Sequence, residues 1–349
     1  MFARYMIWRD PSLGNKVTIY DVAAAARVSI STVSQVLNRP DRVREPLRDR
    51  VLAAVEGLGY VPAADAASRA RSKAARIGVV APLTSYNSYM RRLAGVLDVL
   101  GPLGKEVCVF DHESATRASP LLASLPFTRR VDGLIVMGLS MEDAIADRVA
   151  RQGLPTVFVD FPTSRFTSVG IDNHLGGRMV AEHVWRAGHR RFVWLQERAS
   201  GWEELDGEIL LAGHRRIAGF KGTIESFGGD PRDIEVFSAA HSIANAKECL
   251  ARRLSGGEPP LCVIGHDDTL AVGAIVALRE RGLRVPEQVA VMGFDDGDIA
   301  VAADLTTVRQ PFEQSGRVAA HALIQHIDDP GYPPQTISLG VELVIRGSA

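Results

Sequence analysis

"YDVAAAARVSISTVSQVLNRP", residues 20–40, holds two short helical patterns separated by a break at Arg27-Val28. Ile19, Val22, Ala23 and Ala26 recur at helical spacing, and Thr18 with Asp21 forms a variant of the capping box, which satisfies free amides at a helix start. The second pattern begins at Ser29, a good N-cap, and turns Val33, Val36 and Leu37 inward while Ser31, Ser34 and Gln35 face outward. Two short helices joined by a tight turn make a helix-turn-helix. A third helix follows from Pro46, a first-turn proline, with Val51, Leu52, Val55 and Leu58 inward and Gly59 free to take the left-handed C-terminal position. Three helices of this length close a small core.

Charge gives this unit a partner. Residues 1–76 carry 13 Lys and Arg against 7 Asp and Glu, whereas the remainder carries 27 against 34. A basic front on an acidic body points to a nucleic-acid-binding head joined to a body with another task. A plain helical cap would share the helical pattern, but motif, charge and position together favour DNA.

Composition sets the outer limits. At 349 residues and 46% hydrophobic content the chain can bury one large or two medium cores. No run of eighteen apolar residues appears, so no membrane partner is expected. The opening "MFARYMIWRDPSLGNK" lacks the apolar core and cleavage site of a signal peptide, and a cytoplasmic location is expected. Cys108, Cys249 and Cys262 are odd in number and widely spaced, and read as small core residues. No metal spacing is completed by the nine histidines, so no metal site is expected.

Behind the head, the apolar runs "RIGVVAP", "KEVCVF", "VDGLIVM", "PTVFVD", "RRFVWL", "PLCVIG" and "VAVMGF" alternate with helical stretches. That alternation predicts parallel sheets with helices on both faces. Such sheets bind ligands beyond the carboxyl ends of their strands. Thr84, Ser85, Tyr86, Asp160, Phe161, Asp267, Asp295 and Asp296 all follow such runs, so several acids converge on one rim. Neither GxGxxG after the first strand nor a P-loop is present, and no cofactor is expected. The paired acids Asp295-Asp296 could serve an enzyme, but nothing activates a nucleophile beside them, and the chain reads as a non-enzyme. An exported sugar-binding protein would leave the head unexplained.

Residues 17–62, followed by "VGIDNHLGG", "AGHRRFVWL", "RRIAGF", "VPEQVAVMGFDD", "LTTVRQP" and "ELVIRGS", resemble the LacI/GalR family of transcription regulators over nearly everything after residue 16. The resemblance implies an α-helical three-helix head, a hinge, and an α/β two-lobed core like that of periplasmic sugar-binding proteins, working as a homodimer on a pseudo-palindromic double-stranded DNA operator. The expected division is 1–16 a disordered extension, 17–62 the DNA-binding domain, 63–76 the hinge, and 77–349 the effector-binding and dimerisation core. Within the core the expected N-lobe is about 77–175 and 305–336, and the C-lobe about 176–304 and 337–346. The first sixteen residues precede the family's usual start, as an arm or as a misassigned start with Met6 an internal candidate. No heptad repeat follows "ELVIRGSA", which favours a dimer over a coiled-coil tetramer.

By that resemblance the effector contacts fall on Asp160, Arg216, Asp267 and Asp295; strand-end position adds Ser85, Tyr86 and Phe161, and Tyr86, Tyr89, Phe161 or Trp202 are the candidate stacking walls. Structural roles compete: Asp267 or Asp268 could cap the helix near Thr269, Asp296 a turn, and Arg216 could form an ordinary ion pair. Relatives usually carry Asn where this chain has Asp267. Three carboxylates and one guanidinium suit the hydroxyls of a neutral sugar or polyol and repel a phosphate, and a repressor gated by such an effector is the reading adopted. The acidic segment 196–214 is longer than its usual counterpart and its role stays open.

The head's contacts divide by chemistry. Ile30, Ser31 and Gln35, near the N-terminal end of the recognition helix, are placed for base edges, Gln35 bidentate to adenine or else reaching a phosphate. Ser29, Thr32, Ser34 and Asn38 suit phosphates or caps, and Thr18 and Tyr20 join the DNA-binding set. Arg27 stands where many relatives have Gly. In the hinge, "PAADAASRARSKAARIG", relatives insert a leucine wedge into the minor groove; here Arg69 aligns with it, so minor-groove electrostatics are expected in its place. The hinge reads as a marginal helix ordered on DNA or as a flexible linker.

Overall fold

The structure is a computed structural model that describes residues 17–60, 75–128, 130–198, 211–255 and 262–349. The N-terminal extension, Arg69 with most of the hinge, and Trp202 with most of the acidic segment lie outside the described residues. The chain forms two compact units. One takes the chain up to Arg76 with Thr116–Asp132 and Met141–Leu154; the other takes Ile77–Ala115, Gly133–Ser140 and Pro155–Ala349.

The first unit opens with α1 (Ile19–Ala26), α2 (Ile30–Asn38) and α3 (Glu45–Leu58). Val22, Val33, Val36, Val51, Leu52 and Val55 are almost fully buried and close one core, but Leu58, expected inward at the end of α3, is 37% exposed. The Asp21 carboxylate accepts from the Thr18 amide at 2.8 Å and from its hydroxyl at 2.7 Å, which ties down the start of α1. Arg27 ends α1 at φ 52°, and Gly59 ends α3 at φ 61°. The left-handed region is free to Gly but costs a side-chain-bearing residue about 1 kcal/mol.

The second unit carries two six-stranded sheets. The first sheet orders β11 (Thr336–Leu339), β5 (Thr167–Ile171), β4 (Thr156–Val159), β3 (Gly133–Met137), β1 (Arg76–Ala81) and β2 (Glu106–Asp111). The second orders β12 (Glu342–Val344), β10 (Thr306–Arg309), β9 (Ala290–Asp295), β8 (Cys262–Gly265), β6 (Phe192–Glu197) and β7 (Ile234–Ala239). The pairings from β11 to β1 and from β10 to β7 are parallel, whereas β12 runs antiparallel to β10. The two expected parallel sheets are present, with β12 as an antiparallel edge strand of the second.

Alternate residues of the second sheet enter two separate cores. Val193, Leu195, Val263 and Val291 pack with α9 (Ile243–Leu254) and α10 (Asp268–Glu280). Phe192, Trp194, Ile264 and Met292 pack with α7 (Asn173–Arg186) and α8 (Leu211–Ser226) on the other face. This is the two-faced burial that continuous apolar strands foretell. One face of the first sheet packs with α4 (Asn87–Leu100) and α12 (Phe312–Asp328).

The lobe boundaries differ from expectation. β10, at 306–309, belongs to the second sheet, and β11, at 336–339, to the first. The chain therefore crosses after residue 309 and again after 339, not near 305 and 337. All three cysteines are free, Cys249 and Cys262 buried and Cys108 partly so.

Candidate functional site

On the head, α2 presents one polar face. Ser29, Ile30, Ser31, Gln35 and Asn38 are exposed, Thr32 and Ser34 are partly so, and Tyr20 on α1 is 68% exposed. Ser31, Ser34, Gln35, Asn38 and Arg39 line one shallow groove. Several of these groups are already engaged locally. The Ser29 hydroxyl accepts from the Thr32 amide at 3.2 Å, and Asn38 Nδ2 donates to the Ser34 carbonyl at 2.9 Å. Among the described residues of this set, Tyr20, Ile30 and Gln35 make no side-chain hydrogen bond, while the Ser31 hydroxyl lies 2.7 Å from that of Ser29.

The second site is a cleft of about 500 Å³ at the carboxyl ends of both sheets of the second unit. Tyr86 and Tyr89 follow β1, Asp160 and Phe161 follow β4, Asp267 follows β8, and Asp295 ends β9. Arg216 reaches in from α8. Seven of the eight expected effector residues therefore share one cavity. Ser85 is the exception: it is exposed, its amide closes a turn onto the Pro82 carbonyl at 3.2 Å, and it does not line the cleft.

Two buried guanidiniums set the electrostatics. Arg92, 3% exposed, pairs with the Asp160 carboxylate, and its guanidinium lies 4.4 Å from the centre of the Phe312 ring. Arg216 donates from Nε to Asn173 Oδ1 at 2.8 Å and from Nη1 to the His266 carbonyl at 2.7 Å, with the Phe294 ring 3.8 Å away. Arg216 can be held so because α7 and α8 approach closely: a Cβ at Gly177 would collide with the Arg216 carbonyl. An ordinary ion pair is therefore not its role.

The carboxylates divide into engaged and aimed. Asp267 Oδ1 accepts from the Leu270 amide at 2.9 Å and so caps α10, while Oδ2 faces His241 Nε2 at 3.4 Å. The capping role weighed for Asp268 falls to Asp267; Asp268 is buried inside, accepting from the Thr307 hydroxyl at 2.6 Å and the Gly297 amide at 2.9 Å. Asp296 is not a turn cap either, since it pairs with Arg309 and Arg346, each at 2.6 Å. Asp295 accepts from Gln310 Nε2 at 2.5 Å, and burial pushes its pKa up to about 7 against the pull of Arg216. Asp160 and Asp295 sit at φ 60° and 125°, backbone conformations that cost L residues energy and cluster at binding sites.

Several lining residues were not singled out in the sequence. Glu197 ends β6, His241 follows β7, His266 follows β8, and Gln310 and Phe312 follow β10. The Tyr86 hydroxyl donates to Glu197 Oε1 at 2.6 Å, and its ring lies 4.8 Å from that of His241. Burial raises both the Tyr86 and Glu197 pKa values. Position just past a strand end, the signal that marked Asp160, applied equally to Glu197, His241 and His266.

Comparison with known proteins finds matches to both the head and the core. Residues 18–63 match the model for bacterial regulatory proteins of the lacI family, and residues 181–349 match the periplasmic binding protein-like domain. The transcriptional regulator CelR of Thermobifida fusca is 30% identical over 351 residues, 95% of this chain and 98% of its own. The regulator DegA of Bacillus subtilis is 28% identical over 341 residues, 95% of this chain and 98% of its own. A lac repressor dimer bound to operator and an anti-inducer superposes with TM-score 0.69 at 26% identity, over 96% of this chain and 99% of that one. A CelR–cellobiose complex does so with TM-score 0.68 at 26% identity, over 95% and 100%. With a helix-turn-helix in front and a strand-end cleft behind, the chain belongs to the LacI family of bacterial transcription regulators.

Proposed function

We propose that this protein is a repressor that binds a pseudo-palindromic operator as a homodimer in the cytoplasm, and whose cleft takes a neutral sugar or polyol that shifts operator affinity. The observation that carries the ligand class is the number of hydrogen-bonding carboxyl groups that line the cleft. Six carboxylates line it against three guanidiniums, and both buried guanidiniums are already bonded within the protein. Ionised carboxylates accept hydrogen bonds from several hydroxyls, a carboxyl held protonated by burial, as Asp295 is in part near neutral pH, can also donate one, and the two buried guanidiniums are held by protein partners rather than offered to a phosphate. Ring-bearing side chains, Tyr86, Tyr89, Phe161 and Phe312, supply apolar walls for the faces of a pyranose or furanose. The related CelR is solved with cellobiose, and another LacI-family regulator, from Enterococcus faecium, with ribose.

Operator contact follows from the exposed face of α2, with Ile30, Ser31 and Gln35 at base edges and the flanking hydroxyls and Asn38 on phosphates. Coupling runs through the hinge between the DNA-binding head and the core, as a population shift between cleft states of different operator affinity. Fluorescence anisotropy on the DNA upstream of the protein's own gene, repeated across neutral sugars, polyols and sugar phosphates, tests the reading. Specific, salt-sensitive binding altered by a neutral carbohydrate is expected. Specific binding that responds solely to phosphorylated ligands would refute the ligand class, and absence of specific DNA binding would refute the operator reading.

A further inference from the structure

One corner of the cleft is held by a chain of hydrogen bonds that starts in the hydrophobic core. Trp194, 1% exposed, donates from Nε1 to Gln196 Oε1 at 3.1 Å, and Gln196 Nε2 lies 3.1 Å from His266 Nδ1. Residues 194 and 196 share a face of β6, which puts the two side chains side by side. An indole nitrogen can only donate, so the Gln196 oxygen must face Trp194 and its NH2 must face the imidazole. Nδ1 of His266 therefore accepts and carries a lone pair. Burial, reinforced by the Arg216 charge, holds the His266 pKa well below its usual value, so the ring is neutral and its one proton sits on Nε2. Room for the chain comes from Gly213, where a Cβ would collide with both the Gln196 amide and the His266 ring.

The proton on Nε2 faces Glu197. His266 Nε2 and Glu197 Oε2 are 3.8 Å apart, too far for a direct hydrogen bond, while Oε1 already accepts from Tyr86. A donor and an acceptor so spaced are spanned by one oxygen about 2.8 Å from each. That oxygen must accept from the imidazole and donate to the carboxylate. A hydroxyl does both; an ammonium has no lone pair, and an ether or carbonyl has no proton. Glu197, His266 and Asp267 also bring three ligand-type atoms within 4.8 Å of one another, the spacing of a metal site. A metal needs the Nε2 lone pair, and the hydrogen-bond chain has placed a proton there.

We propose that the Tyr86–Glu197–His266 corner is a hydroxyl-reading subsite, in which Trp194 and Gln196 fix His266 as a donor beside the Glu197 acceptor and so exclude divalent metal ions. The source of the hydroxyl rests on the reading of the cleft as a carbohydrate site; the proton position does not. The test uses the full-length protein labelled with 15N-histidine, with His266 assigned by comparison with H266N, and Zn2+ as the metal probe. Wild type is expected to show the neutral Nε2–H form of His266, with no Zn2+-induced change at that ring.

The variant Q196E reverses the logic: a carboxylate at 196 accepts from Trp194 and from Nδ1–H, and frees the Nε2 lone pair toward Glu197 and Asp267. It is expected to bind Zn2+ at least tenfold more tightly than wild type by calorimetry. An Nδ1–H form in the wild type, Zn2+ bound at its His266, or a folded Q196E that keeps the wild-type proton position would each overturn the proposal. If Q196E does not fold, the wild-type spectra decide alone. A high-resolution crystal structure of the unliganded protein should show one oxygen bridging Glu197 Oε2 and His266 Nε2, and direct closure of the two groups would contradict it. If the spectra hold and no carbohydrate alters operator binding, the sugar reading fails while the proton assignment stands.

Discussion

Arg216 Nη1 donates to the backbone carbonyl of His266 at 2.7 Å, so a charged side chain from α8 is fixed to the end of β8, one residue before the carboxylate that caps α10. The bond couples three elements at the cleft. Replacing Arg216 with Lys keeps the charge but cannot serve Asn173 and His266 together, because the planar fork is lost. R216K is expected to lose about 1–3 kcal/mol of stability and most of its response to effector while retaining operator binding. Thermal denaturation and operator anisotropy with and without the effector read the two effects separately.

Gly177 lies where α7 meets the backbone of Arg216. In G177A the added methyl must push the helices apart, since the Arg216 carbonyl cannot move independently of α8. A cost of about 1–3 kcal/mol is expected, with a blunted effector response. A variant as stable as wild type in urea titration would mean that the helices separate freely.

The Asp295 carboxyl, fully buried, has its pKa raised to about 7 from an ordinary 3.8. The folded chain therefore binds this proton more tightly than the unfolded chain. Its stabilising contribution is fully present below about pH 4 and is lost as pH rises through about 7. D295N keeps an acceptor for Gln310 and removes the titration. Its melting temperature relative to wild type should rise between about pH 4 and about pH 7 and be level above that; a constant difference would show that Asp295 titrates normally.

Arg27 at φ 52° carries strain that glycine would not. R27G is expected to stabilise the head by about 1 kcal/mol. If the guanidinium also meets a phosphate, the same change weakens operator binding and reduces the salt slope by roughly one. Stability and affinity should therefore move in opposite directions.

Gln35 is exposed on α2 and has no local capping bond that accounts for it. Q35A should relax preference at one operator position by about 1–3 kcal/mol and leave binding to other positions intact. A uniform loss across sequences would instead assign Gln35 to a phosphate.

The head was legible because its buried set, Val22, Val33, Val36, Val51, Leu52 and Val55, is stated by helical spacing alone. The sheets were legible because parallel strands buried on both faces read as continuous apolar runs. Which sheet takes β10 or β11 was not, since "LTTV" and "TISL" read alike in either. The helix after β8 begins at Asp268, not near Thr269, and that single-residue shift moved the capping role to Asp267. Ser85 was misplaced because position after a strand says nothing about which way a turn residue points. Glu197 and His266 were missed because their significance lies in the partners Tyr86 and Gln196, which packing supplies and sequence spacing does not.

Calorimetry of the purified protein against neutral sugars, polyols, sugar phosphates and purines, repeated with D295A, addresses the central claim most directly. The account predicts a neutral carbohydrate that binds the wild type and loses at least tenfold in affinity with D295A. Binding confined to phosphorylated or purine ligands, or carbohydrate binding indifferent to D295A, would contradict it.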